Sequence, residues 1–299
     1  MIDFITIGKQ IYDVKNWREK HRLIVFLLRV YLHYGDMKNL YTFFCEDSLR
    51  KATFQAKFYP LEQVTRGFFY KGSTFQERAE LIKNHYRYLQ EKLLPEKFTD
   101  LCQSRNVKIW QSADEDVDWQ ASLFFHIGQR KEGLLSVVML FGGQPLYQIM
   151  FWLNKDKNGE DALWIGAMQG PNMEGARELV KDTTKRAHRY RTKNLILYMT
   201  MAVARALGVR HIYAVSNDGY YAMNHVRRDR KLKTDFGAFW EEAGGHVTDD
   251  PRFYEIPLIE PRKTMEEVPT RKRAVYRKRF AFQDDVDAQI AVNMEKIFR

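Results

Sequence analysis

Ala162-Leu163-Trp164-Ile165-Gly166-Ala167-Met168, continuing into Gln169-Gly170-Pro171-Asn172-Met173-Glu174-Gly175-Ala176, is where the periodicity of the chain changes. Upstream of it, apolar runs at 121–127, 134–141 and 146–153 are separated by Gly128…Gly133, Gly142-Gly143 and Asn158-Gly159, which is the pattern of an antiparallel meander. Downstream, Ala176, Leu179, Val180, Thr183 and Ala187 recur at spacings of three and four, one stripe of an amphipathic helix over 174–190. Residues 193–207 predict a second, almost wholly apolar helix, closed by Gly208. His211-Ile212-Tyr213-Ala214-Val215 then reads as a strand that stops at Ser216-Asn217-Asp218-Gly219. Strand, helices and strand in that order form a β-α-β crossover attached to the meander.

Working outward, residues 1–105 read as a helical N-terminal region, with periodic segments at 17–34, 38–58 and 74–94 punctuated by Gly35, Pro60, Gly67 and Pro95. Strand patterning starts near Val107, so 106–299 is expected to be a mixed α/β domain with a basic C-terminal segment. Its tail holds Phe239-Trp240-Glu241-Glu242, a Gly244-Gly245 turn, a Phe253-Tyr254-Glu255-Ile256 strand and a helix-like 271–280. The fold class is therefore α+β: a helical N-terminal region followed by an antiparallel meander with a β-α-β crossover.

A chain of 299 residues with 45% hydrophobic residues is long enough to bury a core and too rich in apolar residues to be disordered. Lys and Arg number 48 against 38 acids, a formal charge of +10 that favours anionic partners. Cys45 and Cys102 stand alone, which excludes a disulfide framework and a CxxC metal or redox motif. The start, Met1-Ile2-Asp3-Phe4, lacks a basic signal-peptide region, and the Leu23–Leu28 apolar run is broken by Arg29 before it could span a bilayer. A cytoplasmic protein is expected, with the option that the 23–32 helix lies on the inner membrane surface.

Four segments carry candidate chemistry. The Gly-containing turn at 169–175 opens a helix, whose free N–H groups and positive dipole end suit phosphate, and Arg177 and Lys181 add charge on the next face. Ser216, Asn217 and Tyr221 follow the strand after the crossover, where they would face the Gln169 loop across a shared cleft if the two strands are adjacent and parallel. Residues 224–233 and 271–279 are dense in Lys and Arg near aromatic rings, which fits phosphorylated ligands, acidic lipid or nucleic acid. No HExxH, P-loop, GxSxG or close His/Cys/Asp cluster occurs, so no metal site is expected.

The segments Gln169-Gly170-Pro171, 178–185, Lys193-Asn194-Leu195, Ala214-Val215-Ser216-Asn217, Asp235-Phe236…Phe239-Trp240, Gly244-Gly245 and Lys272-Arg273-Ala274-Val275-Tyr276-Arg277 together resemble the VirK/YbjX family of Gram-negative bacteria. The resemblance implies a cytoplasmic protein, linked in some members to virulence and antimicrobial-peptide tolerance. Where the family commonly has a His soon after the Ser-Asn pair, this chain has Tyr220-Tyr221, which counts against such a His as an essential base.

The order of elements is also similar to the GNAT acyltransferases. That likeness implies acyl-CoA as cofactor, with Gln169, Gly170, Gly175, Arg177 and Lys181 on its phosphates and Asn217, Tyr221 and Ser216 on the acceptor side. Two features depart from it: Gly175 lies six residues after Gln169, and two helical segments precede the last strand instead of one. The alternative expectation is a non-catalytic protein peripheral to the inner membrane, binding anionic lipid through 23–32 and 271–279. Nucleic acid ranks last, since charge alone supports it.

Overall fold

The helical region begins where short polar side chains can cap. Asp3 accepts the Ile5 and Thr6 amides at 3.1 and 3.0 Å and starts α1 (Phe4–Ile11), and Asn16 caps α2 (Trp17–Leu32). The segment expected as one helix over 38–58 is two, α3 (Tyr34–Cys45) and α4 (Ser48–Ala56), because Asp47 takes the Arg50 amide at 2.9 Å and starts a new helix. After α5 (Tyr59–Val64), a Thr74–Glu77 capping box opens α6 (Phe75–Lys92), and Pro95 opens α7 (Pro95–Cys102). These elements belong to a computed structural model that describes residues 2–114, 116–125, 127–223 and 235–299.

Among the described residues the sheet has eight strands: β1 (Val107–Gln111), β2 (Trp119–Phe124), β3 (Leu135–Phe141), β4 (Gln144–Lys155), β5 (Asp161–Gln169), β6 (His211–Val215), β7 (His246–Val247) and β8 (Phe253–Ile256). Their order is β1-β2-β3-β4-β5-β6-β8-β7, antiparallel throughout except for β5 and β6. Between those two run α8 (Ala176–Arg186) and α9 (Thr192–Leu207), the latter closed by Gly208 at φ +81°. The expected α+β class, meander and crossover are all present. α10 (Phe236–Glu242) and α11 (Arg273–Glu295) complete the chain, and α11 runs well past the basic segment read from the sequence because its later residues, Val286, Ile290 and Met294, are buried.

Register separates the two faces of the sheet. Trp110 and Trp119 belong to the face that meets Phe282 of α11, whereas Trp152 and Trp164 lie on the other face, where Phe69 and Tyr70 of the N-terminal region pack against Trp152. α11, whose start is one of the two stretches offered as membrane contacts, thus packs on the face opposite the one that Phe69 and Tyr70 of the N-terminal region meet.

One glycine controls the middle of β5. Met150 pairs with Ala167 and Phe151 with Ile165, so Gly166 is the extra residue of a bulge, and pairing with β6 ends at Ile165. A Cβ on Gly166 would lie 1.9 Å from the Glu132 carbonyl oxygen, a backbone atom that cannot swing aside. Gly166→Ala should therefore lower unfolding free energy by about 3 kcal/mol in a urea titration. Gly35→Ala, with nothing within 4 Å, should be neutral or stabilising.

Candidate functional site

β5 and β6 are adjacent and parallel, so the Gln169 and Ser216 loops leave the same end of the sheet, as expected. Gln169 closes β5, and its Oε1 accepts from Gln129 Nε2 and Gln148 Nε2, both at 3.2 Å. Gly170 sits where a Cβ would come within 2.9 Å of the Tyr147 ring. With Pro171 and Met173 these residues line a groove of about 440 Å³, and none of Ser216, Asn217 or Tyr221 is among its lining residues. Gly175, at φ +75°, turns the chain into α8, and no side chain caps that first turn. Arg177 and Lys181 are exposed and make no ion pair among the described residues.

On the β6 side the polar atoms are already in use. The buried Ser216 Oγ donates to the Pro251 carbonyl at 2.9 Å and accepts the Gly219 amide at 2.9 Å. Asn217 braces the start of α10, donating through Nδ2 to Asp235 and accepting the Phe236 amide, both at 2.7 Å. Tyr221 stands edge-on to Phe68 and Tyr220. The neighbouring Tyr220 hydroxyl donates to Glu132 Oε1 at 2.7 Å, and burial together with that carboxylate pushes the phenol well above its ordinary range.

Between the two strand ends, where a shared, positively lined cleft is expected, the structure places the acidic Glu132. Its carbonyl lies on Gly166 of β5, while its carboxylate, raised in pKa by burial, holds Tyr220 beyond β6. The preceding residues are pinned as well: Arg130 Nε donates to the buried Glu62 at 2.6 Å, and the Lys131 carbonyl accepts the Phe69 amide at 2.8 Å. The sequence offered no sign of this, because the loop between β2 and β3 reaches the bulge only once the sheet is assembled.

The run at 224–233 lies outside the described residues, and Trp240 is core, its Nε1 donating to the Val215 carbonyl at 2.9 Å. A cluster the sequence reading missed gathers around His211. Nδ1 meets Glu255 at 2.7 Å and Nε2 meets Glu160 at 2.9 Å, and Asp156, Glu160 and His211 present ligand-type atoms within 4.8 Å of one another. Both carboxylates raise the His211 pKa, so the geometry is that of an imidazolium held between two acids. These partners are 44 and 51 residues from His211, beyond the reach of any local motif. Among the described residues, no helix is long and apolar enough to cross a membrane.

Taken together, fold and site define an α+β protein with, among the described residues, an eight-stranded, mostly antiparallel sheet whose one parallel step feeds two loops at the same end of the sheet. A family model described as protein of unknown function (DUF535) matches residues 15–292, and the chain belongs to that family. The resemblance to VirK/YbjX proteins holds accordingly. The uncharacterised protein YbjX of Escherichia coli is 29% identical over 220 residues, which are 72% of this chain and 66% of that protein. An uncharacterised protein of Haemophilus influenzae is 30% identical over 193 residues, 64% of this chain and 63% of that one. The aligned part therefore spans just under two thirds of the length of these two relatives. A Mannheimia haemolytica protein described as membrane protein LapB is 26% identical over 214 residues, 70% of this chain and 85% of its own length.

Proposed function

We propose that this protein works at the surface of an anionic membrane, as a peripheral, inner-membrane-associated protein with the part in envelope stress, virulence or antimicrobial-peptide tolerance that its resemblance implies. One observation carries the reading. α2 buries Phe26 and Val30 but leaves Trp17 80%, Ile24 58%, Leu28 61%, Tyr31 54% and Leu32 80% exposed, at the spacing of a single helix face. Single exposed apolar residues are ordinary, whereas a contiguous stripe signals an interaction surface. Arg18 and Arg22 lie exposed beside the stripe, and the net charge of +10 favours an acidic surface. An apolar stripe with aromatic residues and a basic flank is the composition of a helix lying in a lipid interface. The description of the Mannheimia relative as a membrane protein agrees with this. Co-sedimentation with phosphatidylglycerol vesicles should be strong and weaken in high salt, while phosphatidylcholine vesicles should retain little. Equal partitioning with both, or with neither, would remove the reading.

A second reading, acyl-CoA binding as in a GNAT-like acyltransferase, is favoured by the bulge at Gly166 and the uncapped start of α8 that follows it. In this reading Gln169, Gly170, Gly175, Arg177 and Lys181 face the phosphates. Tyr221 faces the acceptor, with Ser216 and Asn217 acting through the loop they brace. Calorimetric titration with acetyl-CoA and longer acyl-CoAs should then show saturable binding that Arg177→Ala weakens about tenfold. No heat from any of them would end the reading.

A further inference from the structure

The end of α8 and the early part of α11 meet at one place. Between them and the turn joining β1 to β2 opens a cavity of about 810 Å³, within the size range of small-molecule sites. Its inner wall is aromatic, with Phe282 stacked on Trp119 at 5.9 Å between ring centroids.

The acids around this cavity are already engaged. Asp114 and Asp182 both receive Arg186, at 2.6 and 2.9 Å, and Asp285 takes Trp110 Nε1 at 3.3 Å and Gln289 Nε2 at 2.9 Å. The lysines are not. Lys185 and Lys278 are exposed at the rim, and their ammonium groups have no ion pair or hydrogen bond among the described residues. His188 lines the same cavity, with its pKa lowered by burial first and then by Lys278 and Arg279. Its backbone is also held in a sparsely populated state. His188 and Arg189 have φ of +50° and +63°, and Arg279 of α11 donates to both carbonyls, at 3.4 and 3.0 Å, locking the end of α8 against α11.

We infer that this cavity is a binding site for a small organic anion, whose acidic head group lies between Lys185, Lys278 and His188 while an apolar ring or chain rests against Phe282. The site is separate from the Gln169 loop and from the exposed stripe of α2, so it stands or falls apart from both readings above.

Phenyl phosphate is a suitable probe, with inorganic phosphate and benzyl alcohol as its separate halves. Calorimetry on the full chain should show one saturable site for phenyl phosphate, about tenfold tighter than for either half. Lys185→Gln combined with Lys278→Gln should weaken it about tenfold or more. Ala281→Trp, at an exposed helical position on the rim, should block it without unfolding the protein, as checked by circular dichroism. The double variant should sediment with phosphatidylglycerol vesicles as the wild type does, which separates a free small anion from a lipid headgroup. Four results would overturn the inference: no saturable phenyl phosphate binding, either half binding as tightly as the whole, a double variant that binds like wild type, or a double variant that loses the vesicles.

Discussion

Lowering the pH from about 7 to about 4.5 should cost the wild type about 3 kcal/mol of unfolding free energy through His85 alone, and His85→Gln should be spared that loss. The reason is one hydrogen bond in the core. His85 is fully buried on α6, and its Nδ1 accepts the Leu153 amide of β4 at 3.0 Å, which requires a neutral ring. Burial pushes its pKa down from 6.5 to about 3. The sign follows directly. Above about 6.5 neither state holds the proton and the contribution is fully present; below it the unfolded chain gains a proton that the folded chain refuses, and stability falls until about pH 3. Gln at this position keeps an acceptor for Leu153 and cannot titrate. Urea midpoints measured across this range should therefore converge for the two proteins as pH falls. Curves that stay parallel would show that His85 is not the titrating group. His211 works in the opposite sense: Glu255 and Glu160 raise its pKa, so what it contributes is present below about 6.5 and lost as pH rises through the elevated value.

Ile24→Glu combined with Leu28→Glu should reduce partitioning onto phosphatidylglycerol vesicles by about a hundredfold, since two aliphatic side chains lose about 1.5 kcal/mol of burial each. The fold should not notice, because both side chains are more than half exposed and face away from Phe26 and Val30. Thermal midpoints within a degree or two of wild type would confirm that the variant is folded. Arg271, Lys272 and Arg273 changed together to Ala should matter far less: Arg273 is tied to the Val268 carbonyl at 3.1 Å, and α11 packs on the sheet face opposite the one the N-terminal region meets. If the triple variant lost the vesicles and the Glu variant kept them, the membrane contact would lie on α11 instead of α2.

The elements were legible wherever the signal is local. Alternation of period two gave the meander away and spacing of three and four the helices, and Gly208 ended α9 as its place in the sequence required. The parallel placement of β5 beside β6 was also legible, because a strand–helix–strand connection has few ways to return to a sheet. The candidate site was legible only as separate loops. Gln169 and Asn217 were picked out correctly as residues at strand ends, but their present partners, Gln129 and Asp235, come from elsewhere in the chain.

By itself, the sequence determined the class of fold, the order of meander and crossover, the family and the excess of positive charge, since each depends on composition or on neighbours within a few residues. Tertiary structure alone decided which side of the apolar helix at 23–32 faces outward, that Glu132 bridges β5 and the Tyr220 segment, and that Lys185 meets Lys278 across a cavity. The physical reason is common to all three. A side chain's burial and electrostatic surroundings are set by groups brought next to it from distant parts of the chain, and no periodicity in the sequence records which ones those will be.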